Sequence, residues 1–567
     1  MPPGLLEPRL YRAAFTPALL ALIVLAFSLG DPAAPGTAEL APPTFNAERA
    51  NAIAAQLVEN YGARESGSVE DSQTAELVRA RLSSAGFGAA RYEFEARTLN
   101  GGRTLANIVG VRAGPSDRRL LILASRDGSP GKLERVGATE TAVLLELARV
   151  LQGRAFDHTL VLASVSGGVD GGLGAHELAR TLRGPVDGVL VVRNTGALAE
   201  GSPVLAQFDS RLQPDQTFAR TVERIAEVEF GRPTQDRSIP AQLVRLAFPM
   251  ALGEQATLPQ NGLAVAAVSP GGEPLERVTD ASRRQVAAVG QTALRMLTSF
   301  DDDFTPEDPS PTPLTVGGKL IPQWALALFV GTLLLPLVIA VVDAWARARR
   351  WHEVSTRGLL APALALLPAV AIGFLIRATG LTGLIDAPPL PPDPSALGGA
   401  GVIALVLTGL LIAVASGYAR QVTPKGGEAG YALWLAVAGI VLLVINPIAA
   451  GFCLLLLHLL MLLLLAGDSP RRSKIAVFTL LGLLPLIAAA VYYPLVFGLG
   501  PAGSLRYLVL LQAGGFIGPV GMIAGAVVLA ACLTALIHLL WNAPRGRRSD
   551  GLAPPPSPLT SAPPSRG

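Results

Sequence analysis

From residue 321 to residue 541 the chain is mostly apolar, and this constrains it more than anything else in the sequence. Runs at 321–342, 359–376, 399–415, 431–445, 448–465, 475–497 and 515–541 carry almost no charge and are separated by short polar turns. Lipid offers backbone amides no partner, so such runs must satisfy their own hydrogen bonds as helices. They predict a seven-helix transmembrane domain over 320–542, with Asn446-Pro447 as the tightest connection. An earlier run at 13–29, preceded by Arg9 and Arg12, reads as an uncleaved signal anchor; a cleaved leader ending near Ala33-Ala34 is the alternative.

The charges orient these runs. Arg347, Arg349, Arg350, Arg357, Arg420, Lys425, Arg471, Arg472, Lys474, Arg545, Arg547 and Arg548 all fall in loops that eight spans place on one side. Only Lys319, Arg377 and Arg506 flank the other. The positive-inside rule makes the first side cytoplasmic. The expectation is a multi-pass protein of the plasma membrane, embedded in the lipid bilayer, with residues 44–300 extracytoplasmic and a disordered cytoplasmic tail at 543–567.

Residues 44–300 differ in kind. Short apolar runs at 105–111, 120–124, 159–165, 186–193 and 263–269 alternate with amphipathic stretches at 47–61, 72–85, 141–151 and 280–297. That alternation predicts an α/β unit, a mostly parallel sheet flanked by helices. Residues 301–319, acidic and proline-rich, read as a linker. A net charge of +3 is too small for a nucleic-acid footprint. Cys453 and Cys532 both lie in apolar runs, so the soluble unit has neither disulfide nor thiolate metal site.

Chemistry concentrates at 120–150. Strand 120–124 ends in Ser125-Arg126-Asp127-Gly128, and Gly137-Ala138-Thr139-Glu140 opens the next helix. This order resembles the di-zinc aminopeptidases, in which the strand ends in His-x-Asp and the helix begins Gly-Ala-x-Asp. The resemblance covers about residues 47–297 and implies the family's fold, five metal ligands and a glutamate general base. Position by position, the residues depart from that set. Ser125 stands at the histidine, Asp127 is kept, and Glu140 replaces the bridging aspartate. Gly168 and Val169 occupy the two glutamate positions, with Asp170 one step beyond. Arg193 stands at the fourth ligand, and no histidine precedes Thr279-Asp280, where the last belongs. Gly253-Glu254-Gln255 and Gly262-Leu263-Ala264 match further landmarks. His158 is expected in an exposed turn and His176 within a helix, neither as a ligand. The glycine cluster at 167–174 lacks the Lys-Ser/Thr of a phosphate loop.

A remnant of two carboxylates suits zinc poorly, so no cofactor is expected. Arg193 either pairs with Asp127 and Glu140, replacing the lost cations, or points to solvent. His458 and His538, in apolar runs, are expected to bond between helices. The expectation is a pseudo-peptidase whose exported unit binds a peptide or partner protein around Asp127, Glu140, Arg193 and Glu254. The alternative is a membrane-bound zinc aminopeptidase with non-standard ligands. The layout also resembles the attachment subunit of glycosylphosphatidylinositol transamidase, a third possibility. A permease would need charges at mid-membrane, which are scarce here.

Overall fold

The computed structural model describes residues 5–36, 44–128, 134–197, 204–205, 212–213, 216–233, 238–275, 282–301, 310–350, 356–397, 409, 413, 417–422, 427–466 and 469–544. The helices in chain order are α1 (Pro8–Ala13), α2 (Thr16–Phe27), α3 (Ala47–Tyr61), α4 (Val69–Ser84), α5 (Glu134–Leu151), α6 (Leu173–Thr181), α7 (Gln216–Phe230), α8 (Ile239–Ala247) and α9 (Arg283–Asp301). In the apolar part follow α10 (Gln323–Arg350), α11 (Thr356–Leu381), α12 (Glu428–Ile445), α13 (Pro447–Leu465), α14 (Arg472–Val496), α15 (Pro501–Gly514) and α16 (Pro519–Asn542).

Seven strands form one mixed sheet: β1 (Gly88–Thr98), β2 (Gly101–Arg112), β3 (Arg119–Ser125), β4 (Thr159–Val165), β5 (Val186–Val192), β6 (Val204–Leu205) and, after the separate β7 (Leu212–Gln213), β8 (Val265–Val268). Their order is β1-β2-β4-β3-β5-β8-β6, with β4, β3, β5 and β8 parallel and the edges antiparallel. The parallel strands are apolar on both faces because both are covered. Leu120, Ile122 and Ala124 pack with α3, α5, α7 and α9, while Leu121 and Leu123 turn to the opposite core with Ala175 and Leu178 of α6. Local caps set the helix starts: the Asn46 side chain accepts from Arg49 N, and Ser68 accepts from Asp71 N.

Among the described residues, seven helices are long and apolar enough to cross a membrane: Pro8–Phe27, Gln323–Ala348, Gly358–Leu381, Glu428–Ile445, Pro447–Leu465, Arg472–Val496 and Pro519–Asn542. The expected span at 399–415 and the tail at 545–567 lie outside the described residues, as does Thr279-Asp280. The short α15 packs beside α11, where Gln512 Nε2 donates to Gly373 O at 3.0 Å.

Residues 310–321 do more than link. Ser310–Pro311 (β9) pairs with β7, and Leu314–Val316 (β10) forms a hairpin with Lys319–Ile321 (β11). Buried Leu314 and Ile321 pack against Leu246 and Ala247 of α8 and Ile448 and Ala449 of α13. The expectation failed there because so short a segment has its apolar partners far away in sequence. Asn446 joins the two parts of the chain. Its Oδ1 accepts from Ile448 N and Ala449 N, while its Nδ2 donates to Leu246 O and Ala247 O at 2.8 and 3.0 Å.

Candidate functional site

The parallel strands all end at one edge of the sheet, where α/β folds gather their chemistry. β3 delivers Ser125 and Asp127, β4 delivers the glycine-rich turn at 166–172, β5 delivers Arg193 and Asn194, and α5 presents Glu140. Glu254 arrives on the turn Glu254–Ala256. All four residues expected from sequence therefore lie at this edge, buried.

Their partners differ from the expectation. Asp127 Oδ1 accepts from Ser125 Oγ at 2.6 Å and Gly168 N at 3.0 Å, and Oδ2 accepts from Val169 N at 3.0 Å. Ser66 Oγ lies 3.2 Å from Asp127 Oδ2 and 2.5 Å from Asp170 Oδ2. Its single proton goes to the nearer carboxylate, and Leu99 N donates to the other oxygen of Asp170 at 2.7 Å. Burial pushes the Asp170 carboxyl up to about 6. Beneath this turn, Arg126 and Asp71 form a fully buried pair at 2.7 Å.

Arg193 is 1% exposed. Its three nitrogens are all used: Nη1 donates to Glu254 Oε2 at 2.9 Å, Nη2 to Asp393 Oδ2 at 2.9 Å, and Nε to Glu273 O at 3.3 Å. Both alternatives for Arg193 are thereby corrected. It does not point to solvent, and its ion pairs are with Glu254 and Asp393 rather than Asp127 and Glu140. The reason is geometric. Asp127 is already saturated by neutral donors, and Glu140 Oε1 accepts the backbone N–H of Asn194 at 2.7 Å. Burial first, then the nearby Glu254 carboxylate, hold the Glu140 carboxyl well above the usual range, with Arg193 opposing. Burial alone would lower the Arg193 pKa; the Glu254, Asp393 and Glu140 carboxylates raise it above its ordinary value.

Asn194 has φ +50°, the one positive-φ residue other than glycine among the described residues. Its side-chain amide, bonded to Gly272 O and Pro274 O at 3.3 and 2.7 Å, holds that backbone in place.

Sequence reasoning missed Asp393. It lies between the helices of the apolar part, in a strap reading Pro388-Pro389-Leu390-Pro391-Pro392-Asp393-Pro394-Ser395-Ala396. A lone acid between prolines in an apolar region was its only signal. Asp393 N donates to Val169 O at 2.8 Å, and Leu275 N donates to Asp393 Oδ2 at 2.9 Å. Tyr507 Oη of α15 holds the strap from the other side through Pro392 O at 2.9 Å. Nearby, Arg245 of α8 pairs with Glu273 at 2.5 Å, and its Nε donates to Tyr492 Oη of α14 at 2.8 Å. The site is thus built from both parts of the chain.

His158 also departs from expectation, being 5% exposed. It lies at the opposite sheet edge, with Nε2 2.8 Å from Asp187 Oδ2 and Nδ1 3.1 Å from Asp301 O. His176 is a half-buried residue of α6, within a helix as expected.

No family model matches the chain, and no curated protein matches it. Solved structures to which it is similar include a leucine aminopeptidase precursor from Bacteroides thetaiotaomicron (15% identity, 46% of this chain and 99% of that one, TM-score 0.37). Others are a glutaminyl cyclase from Porphyromonas gingivalis (15%, 45% and 98%, 0.36) and the zinc aminopeptidase BSAP from Bacillus subtilis (12%, 46% and 95%, 0.36).

Proposed function

We propose that this chain is a multi-pass plasma-membrane protein whose extracytoplasmic, aminopeptidase-like unit has given up zinc chemistry and binds a peptide or partner protein at the C-terminal edge of its sheet. One observation carries the reading: a buried guanidinium, Arg193, sits among the site's carboxylates with every nitrogen committed to protein acceptors.

The donor set does not suit zinc. Zinc needs lone pairs from imidazole, thiolate or carboxylate. Asp127 directs both oxygens at hydroxyl and amide donors, Ser125 stands where the family resemblance places an imidazole, and Glu140 accepts from Asn194 N. A cation held within the same cluster opposes a second one. Gly168 and Val169 occupy the two positions where the family resemblance places glutamates, and Glu254, whose Oε1 faces Gly168, is tied through Oε2 to Arg193. The arginine-rich loops support the proposed orientation, with the sheet unit outside and the C-terminus cytoplasmic.

The test is zinc content and aminoacyl-p-nitroanilide hydrolysis of the purified full chain. The reading expects zinc well below one ion per chain and no turnover above background. Stoichiometric zinc with turnover abolished by Asp127→Ala would overturn it in favour of a working aminopeptidase.

A further inference from the structure

The strap at 388–396 meets the site as a ligand would. Its aspartate carboxylate enters a cradle that the globular unit supplies ready-made: Arg193 Nη2 and Leu275 N converge on the single oxygen Asp393 Oδ2, each at 2.9 Å. The strap's backbone adds one hydrogen bond, from Asp393 N to Val169 O. The rest of Arg193 belongs to the unit itself, since Nη1 and Nε are held by Glu254 and Glu273. One nitrogen of the fork is therefore left for whatever fills the cleft.

The surroundings suit a proline-rich peptide. Gly171 has φ +95°, and a Cβ there would fall 2.8 Å from both Leu390 Cβ and Pro391 O, so the turn leaves room for a chain laid across it. Ala396 reaches an apolar patch of Val136, Val169, Ala197 and Leu275. Asp393 itself is extended (φ −67°, ψ 125°), and its Oδ1 caps the 3-10 turn Pro394–Ala396 by accepting from Ser395 N at 3.0 Å. The prolines on either side restrict the free segment and lower the entropy lost on docking. An emptied cradle would leave a buried guanidinium arm and a buried amide unpaired, so the site favours a replacement carboxylate over vacancy.

We propose that the strap is a tethered ligand. It fills, within one chain, the subsite through which the globular unit takes an aspartate carboxylate of a proline-flanked segment of another polypeptide. This rests on the reading of the unit as peptide-binding. Belonging to the same chain, the strap meets the cradle without a bimolecular encounter, so it suppresses binding in trans until it is displaced.

The test uses the full chain in detergent micelles and a fluorescein-labelled peptide, Leu-Pro-Pro-Asp-Pro-Ser-Ala, followed by anisotropy. Asp393→Ala is expected to bind it at least tenfold more tightly than the unmodified chain. That gain should vanish for the Asn version of the peptide and for the double variant Asp393→Ala, Arg193→Ala. Equal affinity of the two proteins, or equal binding of the Asn peptide, overturns the proposal and leaves the non-catalytic reading standing. Cleavage of the peptide, seen by mass spectrometry with the tenfold gain intact, overturns the non-catalytic reading and leaves the subsite standing. Should Asp393→Ala not fold, hydrogen exchange on the unmodified chain decides. Millimolar peptide is expected to speed exchange at Leu390, Asp393 and Ser395, and unchanged exchange there overturns the proposal.

Discussion

Arg193 and Asp393 lie 200 residues apart in sequence and 2.9 Å apart in space, both 1% exposed, one on the sheet and the other between the apolar helices. Replacing Arg193 by Ala strands the Glu254 and Asp393 carboxylates in a dry site. Breaking a buried pair this way costs about 3–5 kcal/mol. Arg193→Lys restores the charge without the fork, so chemical denaturation of the full chain should place it between Ala and the unmodified protein.

Gly253 has φ +81° and ψ −161°, a region essentially reserved for glycine, and a Cβ there would sit 2.2 Å from Arg193 Nη1. Gly262 shares the positive φ (+78°) but has nothing within 4 Å. Gly262→Ala should therefore cost only the backbone term, about 1–2 kcal/mol. Gly253→Ala should cost clearly more, because it also displaces the guanidinium. Equal thermal shifts for the two variants would contradict the placement of Arg193.

Much of this frame was legible in the sequence, for a physical reason. Strand β4 occupies all of 159–165, and α3 all of 47–61, as expected, because continuous apolar runs and periodic faces report burial directly. β1 went unread: Arg91, Glu93, Glu95 and Arg97 on a half-exposed edge strand give no such contrast. The four site residues were legible as landmarks of the family resemblance, Asp127 and Arg193 just after strands, Glu140 on α5 and Glu254 on a turn. Their partners were not, since Asp393, Leu275 and Ser66 come from loops whose proximity only the tertiary fold creates. The same holds for His158, whose local sequence reads as a polar turn while Asp187 and Asp301 close over it.

The Asp170 carboxyl is raised by burial from 3.8 to about 6. A value raised on folding means that the folded state takes up the proton first. The resulting stability is fully present below about 3.8 and is lost as pH rises through about 6. Measured against Asp170→Asn, the unmodified chain should lose up to about 3 kcal/mol of relative stability between pH 4 and pH 7. A flat difference across that range would contradict it.

Tyr11 of α1 bonds through Oη to His458 Nδ1 at 2.9 Å, while His458 Nε2 lies 3.0 Å from Leu333 O. A carbonyl only accepts, so Nε2 carries the proton and Nδ1 takes the tyrosine's. Leu6 N bonds to Leu465 O, and Gly30 pairs through its backbone with Leu320. A segment tied at both ends and its middle is expected to stay on the mature chain. Intact mass of the purified protein should include residues 1–30, and a chain beginning beyond Gly30 would contradict this.

The most direct test of the account is thermal unfolding of the purified full chain with and without a strong zinc chelator. If Arg193 and its carboxylates hold the site together, the two transitions coincide and added zinc moves neither. A transition that falls by several degrees in chelator and returns on adding zinc would mean that a metal, not the guanidinium, organises this edge of the sheet.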